Sequence, residues 1–229
     1  MRSYRLYGII FFLCIAICCQ AQRHGNRPTG DETLIRAYIS TGLTMSQIEG
    51  DMLKGYKKPG FSGGIGATAP LTANRRWQAA LEMNYTQRGV RETSTDIKVQ
   101  YRVRGLTLNY VDIPLTVHFT DPHGGLTVGG GLAYGVLLGQ PHGIIQYSPT
   151  YVVPDTSDMR FLRPDLTAVG DIRFPVWRNH LWFNLRLQYS LIPVKREWLF
   201  TEYRTGEDAV VSRNNCYNNS ISIRLLWIF

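Results

Sequence analysis

The sequence predicts an all-β fold, an eight-stranded antiparallel up-and-down barrel that crosses a lipid bilayer, with long loops at one end and short turns at the other. Three observations lead there. Residues 181–191 (LWFNLRLQYSL) alternate without a break: Leu181, Phe183, Leu185, Leu187, Tyr189 and Leu191 oppose Trp182, Asn184, Arg186, Gln188 and Ser190. Period two means a strand with one face in an apolar medium, and the length fits the roughly 9–11 tilted residues of a transmembrane barrel strand. Seven further stretches carry similar patterns, and the connections between them alternate long and short. Finally, all five lysines (Lys54, Lys57, Lys58, Lys98 and Lys195) fall in expected long loops. A soluble barrel would spread lysine over its wet face.

At the N-terminus, Arg2 and Arg5 precede an apolar run, and Cys19-Gln20-Ala21 offers small residues for cleavage, so residues 1–21 read as a cleaved signal peptide. A lipoprotein anchor is the alternative, but Cys14, Cys18 and Cys19 follow Leu13, Ile17 and Cys18, not the Gly, Ala or Ser that a lipobox requires. Residues 22–33 are a polar, Gly- and Pro-containing periplasmic lead-in, and 34–229 are the barrel domain. Of the four cysteines only Cys216 lies beyond the signal, so no internal disulfide forms in the monomer. The net charge of +8 falls to +6 without Arg2 and Arg5. Outside the cytoplasm that charge points to anionic lipid and lipopolysaccharide, not to nucleic acid.

In chain order, residues 35–43 form a first strand and 45–59 a long loop. Residues 60–69 give a Gly-rich strand with Phe61, Ile65 and Ala67 on its apolar face, followed by a short turn at 70–75. Residues 76–88 form the third strand, with Trp77, Ala79, Leu81, Met83 and Tyr85 against Gln78, Ala80, Glu82, Asn84 and Thr86. A charged loop spans 89–104. Residues 106–120 form the fourth strand, whose phase slips once: Leu106, Leu108 and Tyr110 give way to Val111, Ile113, Leu115, Val117 and Phe119. That slip predicts a bulge, which would also accommodate Pro114. A turn at 121–124 leads to a fifth strand at 125–137, a loop at 139–160 and a sixth strand at 165–174. The turn at 175–179, the strand at 181–191, a loop at 193–216 and a last strand at 220–229 complete the count. An even count puts both termini on the short-turn, periplasmic side.

Several features assign the apolar face to lipid. The polar face is mostly Ser, Thr, Asn, Gln and Gly, with a balanced set of charges, Glu82, Asp112 and Asp171 against Arg173, Arg186 and Arg224. Equal numbers suit a closed lumen where every buried charge needs a partner. Aromatic residues gather at strand ends, with Trp77, Phe119, Phe174, Trp227 and Phe229 toward the turns and Tyr85, Tyr110, Tyr134 and Tyr189 toward the loops. Two such girdles mark the interfaces of a bilayer. Trp227 and Phe229 at the chain's end are the expected signal for the barrel-assembly machinery.

Three blocks, Gly60-Phe61-Ser62-Gly63-Gly64, Leu81 to Gly89 (LEMNYTQRG) and Tyr110-Val111-Asp112-Ile113-Pro114-Leu115, resemble the PorT-like outer-membrane β-barrel family of Bacteroidetes, in the same order and over most of the chain. Arg88 stands where that family usually carries Lys, and Val111-Asp112 where Leu-Glu is common. The resemblance implies a porin-family outer-membrane barrel in a Gram-negative bacterium. It carries over no catalytic residue and no ligand; PorT itself belongs to a secretion and gliding apparatus, so an envelope protein complex of that kind is the alternative role.

No chemistry-bearing constellation stands out. His24 lies in the lead-in, His123 and His180 in short turns, and His142 in a loop; His118 alone sits within a strand, on the lumen face, and no Ser partner is apparent. Asp155 and Asp158 fit local turn hydrogen bonds, and Gly129-Gly130-Gly131 lacks the Gly-Lys-Ser/Thr ending of a phosphate loop. No cofactor or metal is expected. Lys54, Lys57, Lys58 and Lys98, with Arg91, Arg102 and Arg104, are candidate contacts for outer-leaflet phosphates; a solvated rim is the alternative. The expected role is structural or binding, through the long loops, without enzymatic activity and without a diffusion pore; a component of a secretion or gliding assembly is the second reading, a lipid-modifying outer-membrane enzyme the third and a soluble lipocalin-like carrier the last.

Overall fold

A computed structural model describes residues 35–50, 55–92, 104–123, 125–144, 152–154, 160–177, 180–202 and 210–229. The expected signal peptide and lead-in, and Lys54, Lys98, Arg102, Asp155 and Asp158, lie outside the described residues. Eight strands close the barrel: β1 (Arg36–Glu49), β2 (Lys58–Pro70), β3 (Trp77–Glu92), β4 (Arg104–Thr120), β5 (Thr127–Leu137), β8 (Pro164–Trp177), β9 (Leu181–Ser190) and β11 (Val210–Ile228). Each pairs antiparallel with the next, and β1 pairs with β11 from Tyr38↔Ile228 to Glu49↔Tyr217, which leaves the wall without an open edge. Closure satisfies the backbone donors and acceptors within the wall, which hydrocarbon cannot do.

The two faces follow the alternation in the sequence. Leu43, Leu132, Leu187 and Ile223 point outward and are 52 to 70% exposed, while Glu82, Arg186 and Arg224 point inward and are at most 2% exposed. An outward apolar band around a buried polar interior inverts the arrangement of a soluble barrel. Trp77, Phe119, Phe174 and Trp227 lie outward near the short turns, joined by Trp177, which falls within β8 and not in the turn expected there. Tyr85, Tyr134 and Tyr189 mark the opposite end.

Several boundaries differ from the expected ones. β1 continues to Glu49, so residues 45–49 are strand and the first loop is only residues 50–57, with Gly50 (φ 95°) starting the turn. A positive φ costs Gly nothing, which suits it to end the strand. β3 likewise runs to Glu92. The long loops contain strands of their own: β6 (His142–Ile144) pairs with β4, and β10 (Lys195–Glu202) forms a hairpin with β11 while β7 (Val152–Pro154) pairs with its other edge. The sheet therefore continues past the rim on the long-loop side. Two lysines open strands instead of lying in loops, Lys58 at the start of β2 and Lys195 at the start of β10.

The expected bulge in β4 is absent. Its ladder with β3 runs in one register from Trp77↔Phe119 to Glu92↔Arg104, skipping only the rungs opposite Pro114, which has no N–H to give. Leu106, Leu108 and Tyr110 consequently share the inward face with Asp112, Thr116 and His118, and Tyr110 is no part of the outer girdle. The three are apolar because the lumen is dry at that height: they pack with Ile48, Val90, Leu137, Phe161, Val194 and Cys216 into one buried cluster at the long-loop end.

Candidate functional site

Below the apolar cluster the lumen is filled by two layers of ion pairs. The lower layer centres on Glu82 of β3 and Asp171 of β8. Arg186 of β9 donates from Nη1 and Nη2 to both oxygens of Glu82 (2.9 and 2.7 Å) and from Nε and Nη2 to both oxygens of Asp171 (2.8 and 2.6 Å). Arg224 of β11 donates to Glu82 Oε2 (3.0 Å) and to Asn184 Oδ1 (2.8 Å). Arg173 of β8 reaches Glu82 at 2.9 Å and Asp171 at 3.3 Å, and its guanidinium lies over the Tyr38 ring. Asn84 and Asn184 donate their amides to Glu82 and Asp171. Every one of these side chains is buried, and forked guanidinium to carboxylate contacts are the strongest geometry such pairs adopt.

Nearer the loops, Arg88 of β3 bridges Asp112 of β4 (2.6 Å) and Asp165 of β8 (2.9 Å). Ser190 and Asn218 donate to the two oxygens of Asp165, and the Arg88 guanidinium sits over the Tyr110 ring. Of the six charged residues expected to share a lumen network, Glu82, Asp171, Arg173, Arg186 and Arg224 come together, whereas Asp112 belongs to this upper layer. Arg88, Asp165 and Tyr38 are the members that sequence reasoning missed. Parity holds the signal for two of them, since Arg88 continues the inward series Glu82, Asn84, Thr86, and Asp165 the series Asp171, Val169, Thr167. With both included, four carboxylates face four guanidiniums, which keeps the charge balance read from the sequence.

Small residues make room for this network. A side chain on Gly135 would run into Asp112, one on Gly129 into the His118 ring, and one on Gly66 into Tyr38 and Glu82. Gly129 and Gly131 thus serve close packing on the inward face, whereas Gly130 is exposed on the outward one. His118 places Nε2 3.2 Å from Asp171 Oδ2, and among the described residues that carboxylate is its hydrogen-bond partner, not a serine. No three His, Cys, Asp or Glu side chains come together as a metal site among the described residues.

At the short-turn end, Trp227 packs against Trp177 and His180, and the Phe229 N–H donates to the Ala37 carbonyl. At the long-loop end, Lys57 is exposed and Lys58 half-buried. The Lys58 ammonium donates to the carbonyl of its neighbour Pro59.

The sequence matches the family described as outer membrane protein beta-barrel domain over residues 20–196, more than half of the chain. The chain belongs to that family. This outer-membrane barrel therefore resides in the outer membrane, with its short turns facing the periplasm and its long loops the exterior. Among solved structures it is similar to neisserial surface protein A, at 12% identity over 84% of this chain and 97% of that one, with a TM-score of 0.48. It is also similar to the attachment invasion locus protein Ail of Yersinia pestis, at 12% identity over 85% and 98%, with a TM-score of 0.42. No curated protein matches the barrel by sequence.

Proposed function

We propose that the protein is a non-conducting, non-enzymatic outer-membrane barrel that acts through its exterior side as a structural or binding element of the cell surface. The double closure of the lumen carries this reading. An eight-stranded barrel has an interior only wide enough for side chains or one small ligand, and here ion pairs occupy its middle while an apolar cluster, with Phe161 and Val194 contributed by the loops, covers its outer end. A solute would have to separate buried pairs, at a cost of roughly 3–5 kcal/mol for each one broken. It would then lose its water among leucines. On the exterior, β6, β7, β10 and the first half of β11 extend the sheet past the rim and offer surface to a partner.

The partners in this reading are outer-membrane lipid and lipopolysaccharide, the barrel-assembly machinery during insertion, and an envelope protein complex; nucleic acid and cofactors have no part. Planar-bilayer recordings of the purified protein should give no steady open conductance, and large, reproducible single-channel steps would sink the closed-lumen reading. The blocks around Gly60, Leu81 and Tyr110 favour a second reading, a component of a PorT-like secretion or gliding assembly. In that case envelope proteins copurify with the barrel in mild detergent, whereas a free barrel elutes alone.

A further inference from the structure

The outer wall of β2, β3 and β4 changes character in three tiers as it rises toward the exterior. The lowest tier is apolar: Ile65, Leu81 and Met83 face outward and are 39 to 55% exposed. Directly above, an interlocked neutral polar collar replaces it. The Tyr85 hydroxyl donates to Asn109 Oδ1 (3.1 Å), Gln87 Nε2 donates to the Tyr85 oxygen (3.2 Å), and the Phe61 N–H donates to Gln87 Oε1 (3.2 Å). The top tier is cationic. Arg91 continues the outward series of Met83, Tyr85 and Gln87 along β3, while Lys58 begins the neighbouring strand at the rim and the exposed Lys57 lies just before it.

No carboxylate among the described residues pairs with Lys57, Lys58 or Arg91, while the more exposed Arg213 on the same side has Glu197 at 3.9 Å. Arg91 Nε is buried and lacks a hydrogen-bond partner. Like charges left facing each other above an apolar wall destabilise the rim unless an anion sits between them. Guanidinium and ammonium groups together are the recurring chemistry of phosphate recognition.

We propose that the β2–β4 wall is a binding site for a phosphorylated glycolipid of the outer leaflet, with acyl chains along Ile65, Met83 and Leu81, sugar hydroxyls at the collar of Tyr85, Gln87 and Asn109, and a phosphate at Lys58 and Arg91 with Lys57 beside them. The order of the tiers matches the order of groups in such a lipid. A diacyl phospholipid offers no sugar for the collar. The site rests on the exterior side being a binding surface, but it does not depend on the lumen being closed, so a conducting barrel would leave it standing.

The test is native mass spectrometry of the intact, detergent-solubilised barrel with bis-phosphorylated lipid A, the same lipid stripped of its phosphates, and phosphatidylglycerol as competing probes. The wild type should retain the phosphorylated lipid A about tenfold or more over either competitor, the scale of one charge-assisted hydrogen bond. K58Q/R91Q should lose that preference, while R213Q at the same rim should keep it. Heat-dependent gel mobility verifies that each variant is folded. K57Q, in the exposed turn before β2, supplies a milder step in the same direction if the double variant fails to insert. Equal retention by wild type and variants would overturn the site, and equal binding of phosphatidylglycerol would overturn its assignment to a glycolipid.

Discussion

Arg186 makes four of the hydrogen bonds that hold the lower lumen layer, two to each carboxylate. Replacing it with alanine leaves Glu82 and Asp171 buried with Arg173 and Arg224 alone, and tips the lumen from four acids and four guanidiniums to an excess of one negative charge. Arg186→Ala should therefore destabilise by about 3–5 kcal/mol, less where lumen water reaches the cut ends. A folding titration from urea into lipid vesicles measures it, and a loss well under 1 kcal/mol would show the pairs to be solvated. The outward face has its own signature. Leu185, between Asn184 and Arg186 on β9, points to lipid, and Leu185→Arg near the bilayer middle should cost about 2–4 kcal/mol. Gln188→Asn, on the buried side of the same strand, should be mild, and equal mildness of the two in the same titration would mean the faces are reversed.

β11 is the longest strand, and it closes the barrel against β1, pairs with β9 through its second half, and forms the exterior hairpin with β10 through its first. Its last residues are zipped on both sides, by Ile228 N–H to the His180 carbonyl and Phe229 N–H to the Ala37 carbonyl. We expect the end of β11 to be the part that the assembly machinery reads, since Trp227 and Phe229 face outward at the periplasmic rim. Deleting Phe229 should lower the amount of membrane-inserted protein and leave export to the periplasm unchanged; undiminished insertion would count against that role. The companion strand β4 shows how pairing overrides local pattern. Its apolar pattern changes phase at Tyr110, but continuous ladders to β3 and β5 leave no extra residue, so the inward series must include Leu106, Leu108 and Tyr110.

At the scale of the whole molecule, two kinds of closure reinforce each other. The β1–β11 ladder removes the open edge that lipid forbids, and the stacked ionic and apolar layers remove the aqueous path that a wider barrel would keep. The layers also couple distant parts of the chain. Arg88 and Asp165 are 77 residues apart in sequence, and Glu82 and Arg224 are 142 apart. The Arg88–Asp165 pair and the pairs that Glu82 makes with Arg173, Arg186 and Arg224 tie non-adjacent strands across the lumen, so the interior charges and the strand count specify the same closed object.

Strand number, the identity of the two faces, the aromatic belt at the short turns and most of the lumen charges were legible from residue order, because alternation is a local property that the pleat transmits directly to side-chain direction. Partner choice was not, since the height at which two inward side chains meet depends on the stagger of strands around a closed wall. That stagger takes Asp112 away from Glu82's arginines and gives it to Arg88, and it brings in Asp165 from the start of β8. The inward leucines of β4 were misread for a related reason: an apolar side chain facing a dry lumen carries the same local pattern as one facing lipid. The continuous ladders of β4 and the residues folded over the barrel mouth, Phe161 and Val194, distinguish the two.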